Sequence, residues 1–271
     1  MKQKSIQELL EFGIINIDKP TGPTSFNVGQ FVKKNLSLRK TAHMGTLDPR
    51  VTGVLPIMLN RACKLSDYFL KKEKTYVGIM RLHEDVSELV LKKEMKKFVG
   101  KIKQLPPVRS AVKRAERERE VISFGFLEKN GKDVLFESRV EAGTYIRKLI
   151  HELGEKIGGA HMLELRRIQA GIFNESSIVN LYDFEKAVVD ETLLRKIIVP
   201  AEKAIKKVLP FTQVKNNLDK LLVGKPIMEG DLESIPGETF AVFDRDTFIG
   251  IYKKVNGAGG DIIAKAEFVM S

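Results

Sequence analysis

Short apolar runs and amphipathic stretches succeed one another along most of this chain. Gly13 to Asp18 is a compact apolar run that predicts a buried strand, and turn residues follow it from Lys19 to Pro23. Thr24 or Ser25 can then cap a helix that carries Phe26, Val28, Phe31 and Val32. Lys40 to Thr52 has no clear periodicity and predicts a loop. Val54 to Leu59 reads as a strand despite Pro56, Ala62 to Leu70 as a helix, Thr75 to Leu82 as a second apolar strand, and Leu91 to Val99 as a basic helix. From Gln104 to Glu120 the chain contains prolines and is then densely charged. Val121 to Leu127 and Val134 to Val140 flank the turn Lys129 to Lys132, and its AsnGly pair predicts a hairpin. Thr144 can cap a helix with the apolar face Tyr145, Ile146, Leu149, Ile150, Leu153 and Ile157, which Gly158 and Gly159 would end. Met162 to Ile168 reads as a strand and Leu181 to Val189 as a helix.

The character changes after Pro210. Residues 211–271 predict a short helix and the short strands Thr239 to Phe243, Phe248 to Lys253 and Ile262 to Val269, a small and mostly β module. The lysine-rich stretch Arg195 to Lys225 reads as the link to it. Strands and helices mix without regular βαβ alternation, so the expected class is α+β rather than a doubly wound sheet.

Composition adds a partner class. The 271 residues are 43% hydrophobic and 30% charged, an ordinary globular balance, but the formal net charge is +11 and the pI about 9.5. Such an excess points to a polyanion, with nucleic acid the commonest. Cys63 is the only cysteine, so an intramolecular disulfide or multi-cysteine zinc site is excluded; its helical surroundings suggest core packing. The N-terminal MetLysGlnLysSerIleGlnGluLeuLeu has no signal-peptide core, and Val54 to Leu59 is far too short to span a membrane. A cytoplasmic location without membrane contact is the expectation.

Two segments can carry chemistry. In HisMetGlyThrLeuAspPro (His43 to Pro49), Gly45 allows close backbone approach to a ligand, and Pro49 biases Asp48 toward an extended conformation. An aspartate so presented can form a covalent intermediate. An ordinary turn aspartate is the blander alternative. In GluAlaGlyThrTyrIleArg (Glu141 to Arg147), Arg147 falls in the first turn of a helix and can hold a carboxylate ionised; otherwise it is a surface arginine beside Glu141. Tyr76 can stack on a base or pack in the core. Leu165 is most simply a core leucine. Lys113 and Arg114, with Arg117 and Arg119, can grip phosphates or form a solvated charged loop with the interleaved glutamates. No metal-ligand cluster, phosphate-binding glycine loop or Ser/His/Asp arrangement stands out.

Taken together, these stretches resemble the TruB/dyskerin family of pseudouridine synthases. The resemblance rests on AsnIleAspLysProThrGlyProThrSer (Asn16 to Ser25), the run His43 to Pro56, LysThrTyrVal around Tyr76, LeuProProValArgSerAlaValLysArg (Leu105 to Arg114), Glu141 to Arg147, and AlaHisMetLeuGluLeuArgArg (Ala160 to Arg167). They occur in the family's order and look like its archaeal/eukaryotic branch. The resemblance implies a mixed, largely antiparallel catalytic domain over residues 1–210 and a PUA-like RNA-binding domain over 211–271. It implies isomerisation of uridine to pseudouridine in RNA, without cofactor or metal. Asp48 is then the nucleophile or initiating base, Arg147 its partner, and Tyr76 the ring that stacks on a flipped base. His43 supports the flipped conformation, Leu165 forms a pocket wall, Lys19 braces the loop, and Gly45, Thr46, Lys113 and Arg114 contact RNA. Two substrate routes stay open: rRNA, with an H/ACA guide RNA and small partner proteins, and uridine 55 of the tRNA TΨC arm. The alternative from another class is a non-catalytic RNA-binding or ribosome-assembly scaffold of the same fold. Removal of residues 211–271 is expected to weaken RNA binding more than it harms the fold of the remainder.

Overall fold

The structure, a computed structural model, describes residues 4–105, 115–255 and 262–270; Lys113 and Arg114 lie outside the described residues. The first ten strands form one sheet: β1 (Gly13–Lys19), β2 (Thr41–His43), β3 (Thr52–Leu59), β4 (Lys74–Leu82), β5 (Gly100–Gln104), β6 (Arg117–Asn130), β7 (Asp133–Val140), β8 (Ala160–Ala170), β9 (Phe173–Asn174) and β10 (Ile198–Pro200). Its order is β10-β1-β3-β8-β4-β7-β6-β5, with β2 also on β3 and β9 also on β8. The β3–β8 pair is parallel and the other pairs of this sheet are antiparallel. A second sheet, in the order β11-β13-β14-β15-β12, is built from β11 (Phe211–Gln213), β12 (Ile227–Met228), β13 (Thr239–Asp244), β14 (Thr247–Lys254) and β15 (Ile262–Val269). Helices α1 (Ile6–Glu11), α2 (Ser25–Asn35), α3 (Ser66–Leu70), α4 (Glu88–Lys96), α5 (Ile146–Gly154), α6 (Leu181–Val188), α7 (Glu191–Ile197), α8 (Ala201–Ile205) and α9 (Leu218–Leu222) complete the chain. The architecture is the expected α+β.

The apolar runs form strands because the large sheet is buried on both faces. Along β3, Leu55, Ile57 and Leu59 face a core closed by Val28 and Val32 of α2 and by Leu149 and Leu153 of α5. Val54 and Met58 face the other way, into a core with Phe12, Phe69, and Phe243, Phe248 and Ile251 of the second sheet. Phe12 stacks on Phe248 with ring centroids 5.3 Å apart. Cys63 is buried in this second core, and burial pushes its thiol up.

The expected loop Lys40 to Thr52 begins with the short strand β2, and the structure departs from expectation elsewhere too. Gly100–Gln104 is a strand whose alternating lysines disguise it, with Gln104 buried at its end. The charged stretch before Val121 is already β6 from Arg117, its side chains alternating between half-buried and exposed. Ala62 to Leu70 is a 3₁₀ turn, Asn60–Leu65, followed by the short α3. The lysine-rich link is largely integrated: β10 pairs with β1, and Ala201, Ala204, Ile205 and Val208 enter the second core.

That shared core also changes the expected effect of truncation. Without residues 211–271, Phe12 loses its ring contacts with Phe248 and Phe268, and the second core loses Phe243, Phe248 and Ile251; such side chains contribute roughly 1.5–3 kcal/mol each when fully buried. The truncated chain is expected to lose its cooperative melting transition, not merely its RNA affinity. A truncated protein that melts cooperatively within a few degrees of the full chain would show that the second sheet does not support the first.

Candidate active site

Asp48 lies in the loop that joins β2 to β3, and the geometry of that loop follows from how β3 is bordered. One edge of β3 pairs with β1 from Gly53 to Met58. The other edge pairs with β2 at Ile57 to Leu59 and with β8 at Thr52 and Gly53. Pro56 sits in the break between them. Its carbonyl accepts the Met44 N–H at 3.0 Å, so its missing N–H falls on the side where no ladder continues. Met44 plugs into the core shared with the second sheet, while Leu47 and Val51 plug into the other core. Thr46, Asp48, Pro49 and Arg50 between them are exposed.

Polar anchors fix the same loop. Lys19 is fully buried, and its ammonium donates to the carbonyls of Pro20 at 2.8 Å, Pro49 at 3.0 Å and Val51 at 2.8 Å. Three donors meet three acceptors. Burial lowers the Lys19 pKa, opposed by the attraction of Asp48. Ser25 Oγ accepts the Leu47 N–H at 2.7 Å and donates to the Leu47 carbonyl at 3.0 Å. Thr24 caps α2 by accepting from the Asn27 N–H. The Gly22 N–H reaches the Pro49 carbonyl at 2.9 Å.

Opposite this loop stands α5. Arg147, its second residue, places Nη2 2.7 Å from Asp48 Oδ2, with the two side chains 58% and 47% exposed. Thr144 does not cap the helix as expected. Its hydroxyl is buried without a partner, and the capping position is Tyr145, which makes no side-chain cap. Gln104 takes over: its Oε1 accepts the Tyr145 N–H at 2.9 Å and its Nε2 donates to the Tyr145 carbonyl at 3.3 Å. The apolar face Ile146, Leu149, Ile150 and Leu153 seats the helix in the core.

Strands β4 and β8 form the floor. Tyr76 stands directly across from Arg167, and Leu165 across from Gly78. A Cβ at Gly78 would come within 3.0 Å of Leu165 Cδ1, so glycine there lets the leucine lie close to the sheet. Tyr76 and Leu165 are both nearly buried and share one core. Arg167 is buried and donates from Nε to the Val54 carbonyl at 2.8 Å and from Nη2 to the Gly45 carbonyl at 3.0 Å; burial lowers its pKa, opposed by the neighbouring Tyr76 phenol. Gly45 has φ of 103°, which only glycine adopts readily. His43 ends β2 with Nδ1 buried and unpartnered. Burial, and then the charge of Arg167, lower its pKa, so the ring is neutral near pH 7. Lys74 is lowered to about 8 by the same two causes. Arg166, beside Arg167, faces elsewhere and bridges Asp18 and Glu175.

The structure thus brings Asp48, Arg147 and Lys19 to one loop and ties Tyr76 to that loop through Arg167. Gly45 and Thr46 lie on it, and His43 and Leu165 border the same region. Ser25, Gln104 and Arg167 were not legible as site residues, because their partners are backbone groups distant in sequence. Among the described residues no group of three or more His, Cys, Asp or Glu side chains is placed to hold a metal. No helix among them is long and apolar enough to cross a membrane. Chemically, the arrangement offers a half-exposed carboxylate held by a guanidinium in a fixed orientation, with a nearly buried tyrosine and leucine on strands β4 and β8.

Comparison with known proteins matches this geometry. Residues 33–146 match the model of the TruB family pseudouridylate synthase N-terminal domain, and residues 147–206 that of the tRNA pseudouridylate synthase B C-terminal domain. A probable tRNA pseudouridine synthase B of Methanothermobacter thermautotrophicus is 39% identical over 252 residues, 89% of this chain and 78% of that protein. One from Pyrococcus abyssi is 46% identical over 223 residues, 79% of this chain and 66% of that protein. The crystal structure of a Cbf5–Nop10–Gar1 complex contains a chain with TM-score 0.88 and 38% identity, covering 99% of this chain and 88% of that one. A chain in an H/ACA RNP bound to a substrate RNA containing 2′-deoxyuridine gives 0.87 and 35%, covering 100% and 88%. The chain belongs to the TruB family of pseudouridine synthases, in its archaeal/eukaryotic Cbf5/dyskerin branch.

Proposed function

We propose that this protein isomerises uridine to pseudouridine in structured RNA, with Asp48 as the nucleophile or initiating base. The observation that carries the reading is the Asp48–Arg147 ion pair, closed between a loop and a helix far apart in sequence, on a surface open to a macromolecule. The bond from the ribose anomeric carbon to uracil N1 breaks, the base rotates, and a bond to C5 forms. The C5 proton is lost and N1 gains one, so no oxidant, reductant or added group is required. Tyr76 stacks on the flipped base, Leu165 walls its pocket, and neutral His43 supports the flipped backbone. Lys19, Gly45 and Thr46 shape the loop that meets the RNA.

Substrate and partners follow from the relatives. Family members are named for tRNA, and chains similar to this one occur with Nop10 and Gar1 and in an H/ACA RNP. The proposed substrates are uridine 55 of tRNA and guide-selected uridines of rRNA, the latter with H/ACA guide RNA and small partner proteins of that kind. Residues 1–210 act as the catalytic unit and 211–271 as a PUA-like RNA grip. The charge of +11 suits such a partner, and a lone buried cysteine suits the reducing cytoplasm.

The direct test incubates the protein with unmodified tRNA transcript, and with guide RNA, partner proteins and rRNA target, and maps pseudouridine. Asp48→Asn is expected to abolish product while RNA affinity stays within about threefold, because phosphate contacts supply most of the affinity. Substantial turnover by that variant would remove Asp48 from the chemistry; no product from the parent on any RNA would favour the scaffold reading.

Arg147→Lys keeps the charge but loses the planar fork. Its single-turnover rate is expected to fall by about 100-fold or more with little change in melting temperature, since the guanidinium pre-orients the carboxylate and lysine does not. A near-parental rate would show that the fork is dispensable. Lys19→Met, by contrast, should act on stability as well as rate. It strips donors from three carbonyls, and unmade buried hydrogen bonds cost about 1–3 kcal/mol each. An unchanged melting temperature would show that the loop holds without Lys19.

A further inference from the structure

Asp48, Arg147 and Tyr76 account for the proposed chemistry, but a buried cation behind them is unused. Arg167 is only 1% exposed, and no carboxylate among the described residues pairs with it. An arginine in that setting is a poor way to fill space. Its desolvation is unfavourable, as its lowered pKa reflects, and a well-packed apolar residue of similar volume would serve the core better. What the guanidinium does there is join three elements. Nε reaches the Val54 carbonyl on β3 at 2.8 Å, and Nη2 reaches the Gly45 carbonyl, three residues before Asp48, at 3.0 Å. Tyr76 on β4 is its direct cross-strand partner, so the two side chains leave the sheet on the same face, and the phenol opposes the lowering of the Arg167 pKa. Glycine at 45 completes the fit: its φ of 103° would strain any other residue, and a Cβ there would already be in van der Waals contact, 3.4 Å, with Arg167 Nη1. The loop backbone is drawn down onto the guanidinium, whose rigid plane sets its spacing from the tyrosine.

We propose that Arg167 is a positioning residue that fixes the Tyr76 ring relative to the Asp48 loop, so that the reacting base is held between them in one geometry. It touches neither base nor ribose. Its contribution is to the rate of the chemical step rather than to RNA affinity, because small displacements of positioned groups cost rate steeply. The inference rests on the pseudouridine synthase reading above.

The test uses the full-length protein, its active RNA substrate and single-turnover conditions at saturating enzyme. Arg167→Met is expected to lose about 100-fold or more in rate while the RNA dissociation constant moves by less than about threefold. In the Tyr76→Phe background the same substitution should cost less than about tenfold, because the hydroxyl it orients is already gone. Equal losses in both backgrounds, or a near-parental rate, would overturn the proposal. Arg167→Lys, which can reach one acceptor but cannot span three, should recover only a minor part of the rate. Should neither variant fold, the unsubstituted protein decides. The Arg167 Nη protons, followed by nitrogen-15 NMR, are expected to be individually resolved, slow to exchange with water and moved by Tyr76→Phe. A single averaged, fast-exchanging set would mean that no clamp exists. Absence of pseudouridine from the parent enzyme fails the functional reading and leaves the NMR result standing; an active parent indifferent to Arg167 fails the clamp alone.

Discussion

Everything that positions Asp48 depends on one interruption of hydrogen bonding along the central strand. Beside β3 the neighbour changes from β2 to β8, and in the break between them the buried Val54 carbonyl takes its donor from a side chain, the Arg167 Nε, rather than from a strand N–H. A buried backbone carbonyl without a donor is unfavourable, so the gap must be filled. Arg167 fills it, and a second buried cation, Lys19, does the same for the adjoining turns. Arg167 serves Val54 in the break and Gly45 in the loop, and Lys19 of β1 serves Pro20, Pro49 and Val51 in the turns that lead into β3. Both sit where burial disfavours their charge, and Lys74 nearby is pushed down to about 8 in part by Arg167 itself. The side chains do what a continuous ladder would have done, but they also let the chain leave the sheet as a rigid loop.

This arrangement separates stability from reactivity. The Asp48–Arg147 pair is half exposed on both sides, and ion pairs of that kind contribute little to folding, about 0–1 kcal/mol. It holds its geometry because each partner is fixed from behind. Asp48 is held by Leu47 and Val51 in the core and by the Lys19 and Ser25 contacts, and Arg147 by the apolar face of α5 and the Gln104 bonds to Tyr145. Solvent or substrate can therefore reach the carboxylate without the loop having to unfold.

The same division explains what could be read from the sequence. Long apolar runs such as Gly13–Lys19 and Lys74–Leu82 declare themselves, because burial of both sheet faces leaves only one kind of residue to place there. Strands at the other edge do not: Gly100–Gln104 and the start of β6 interleave lysine, arginine and glutamate with few apolar residues, and such alternation looks like a solvated loop. Local chemistry alone left Asp48 as an ordinary turn residue, and the family motifs around it carried the stronger reading. Thr144 has the chemistry of a cap, yet its hydroxyl is turned into the interior while Gln104, 41 residues away, bonds the helix start. Arg167 could not be recognised for a related reason. Its partners are two carbonyls and its cross-strand neighbour is a tyrosine, all brought together only by the strand order, and nothing in ArgArg tells the arginine that bridges Asp18 and Glu175 from the one buried beneath the loop.

The two faces of β3 link the second sheet to this loop. Met44, the residue after β2, sits in the core that Phe243, Phe248 and Ile251 help to close, while Leu47, three residues on, sits in the opposite core. The segment bearing Asp48 is thus pinned through the sheet, one anchor on each side. On the proposed reading, residues 211–271 grip RNA, and the shared core joins that grip to β3 and to Met44 at the start of the Asp48 loop. An RNA gripped there would stand at a set distance from Asp48, so on the same reading the interface that stabilises the fold would also select which uridine reaches the carboxylate.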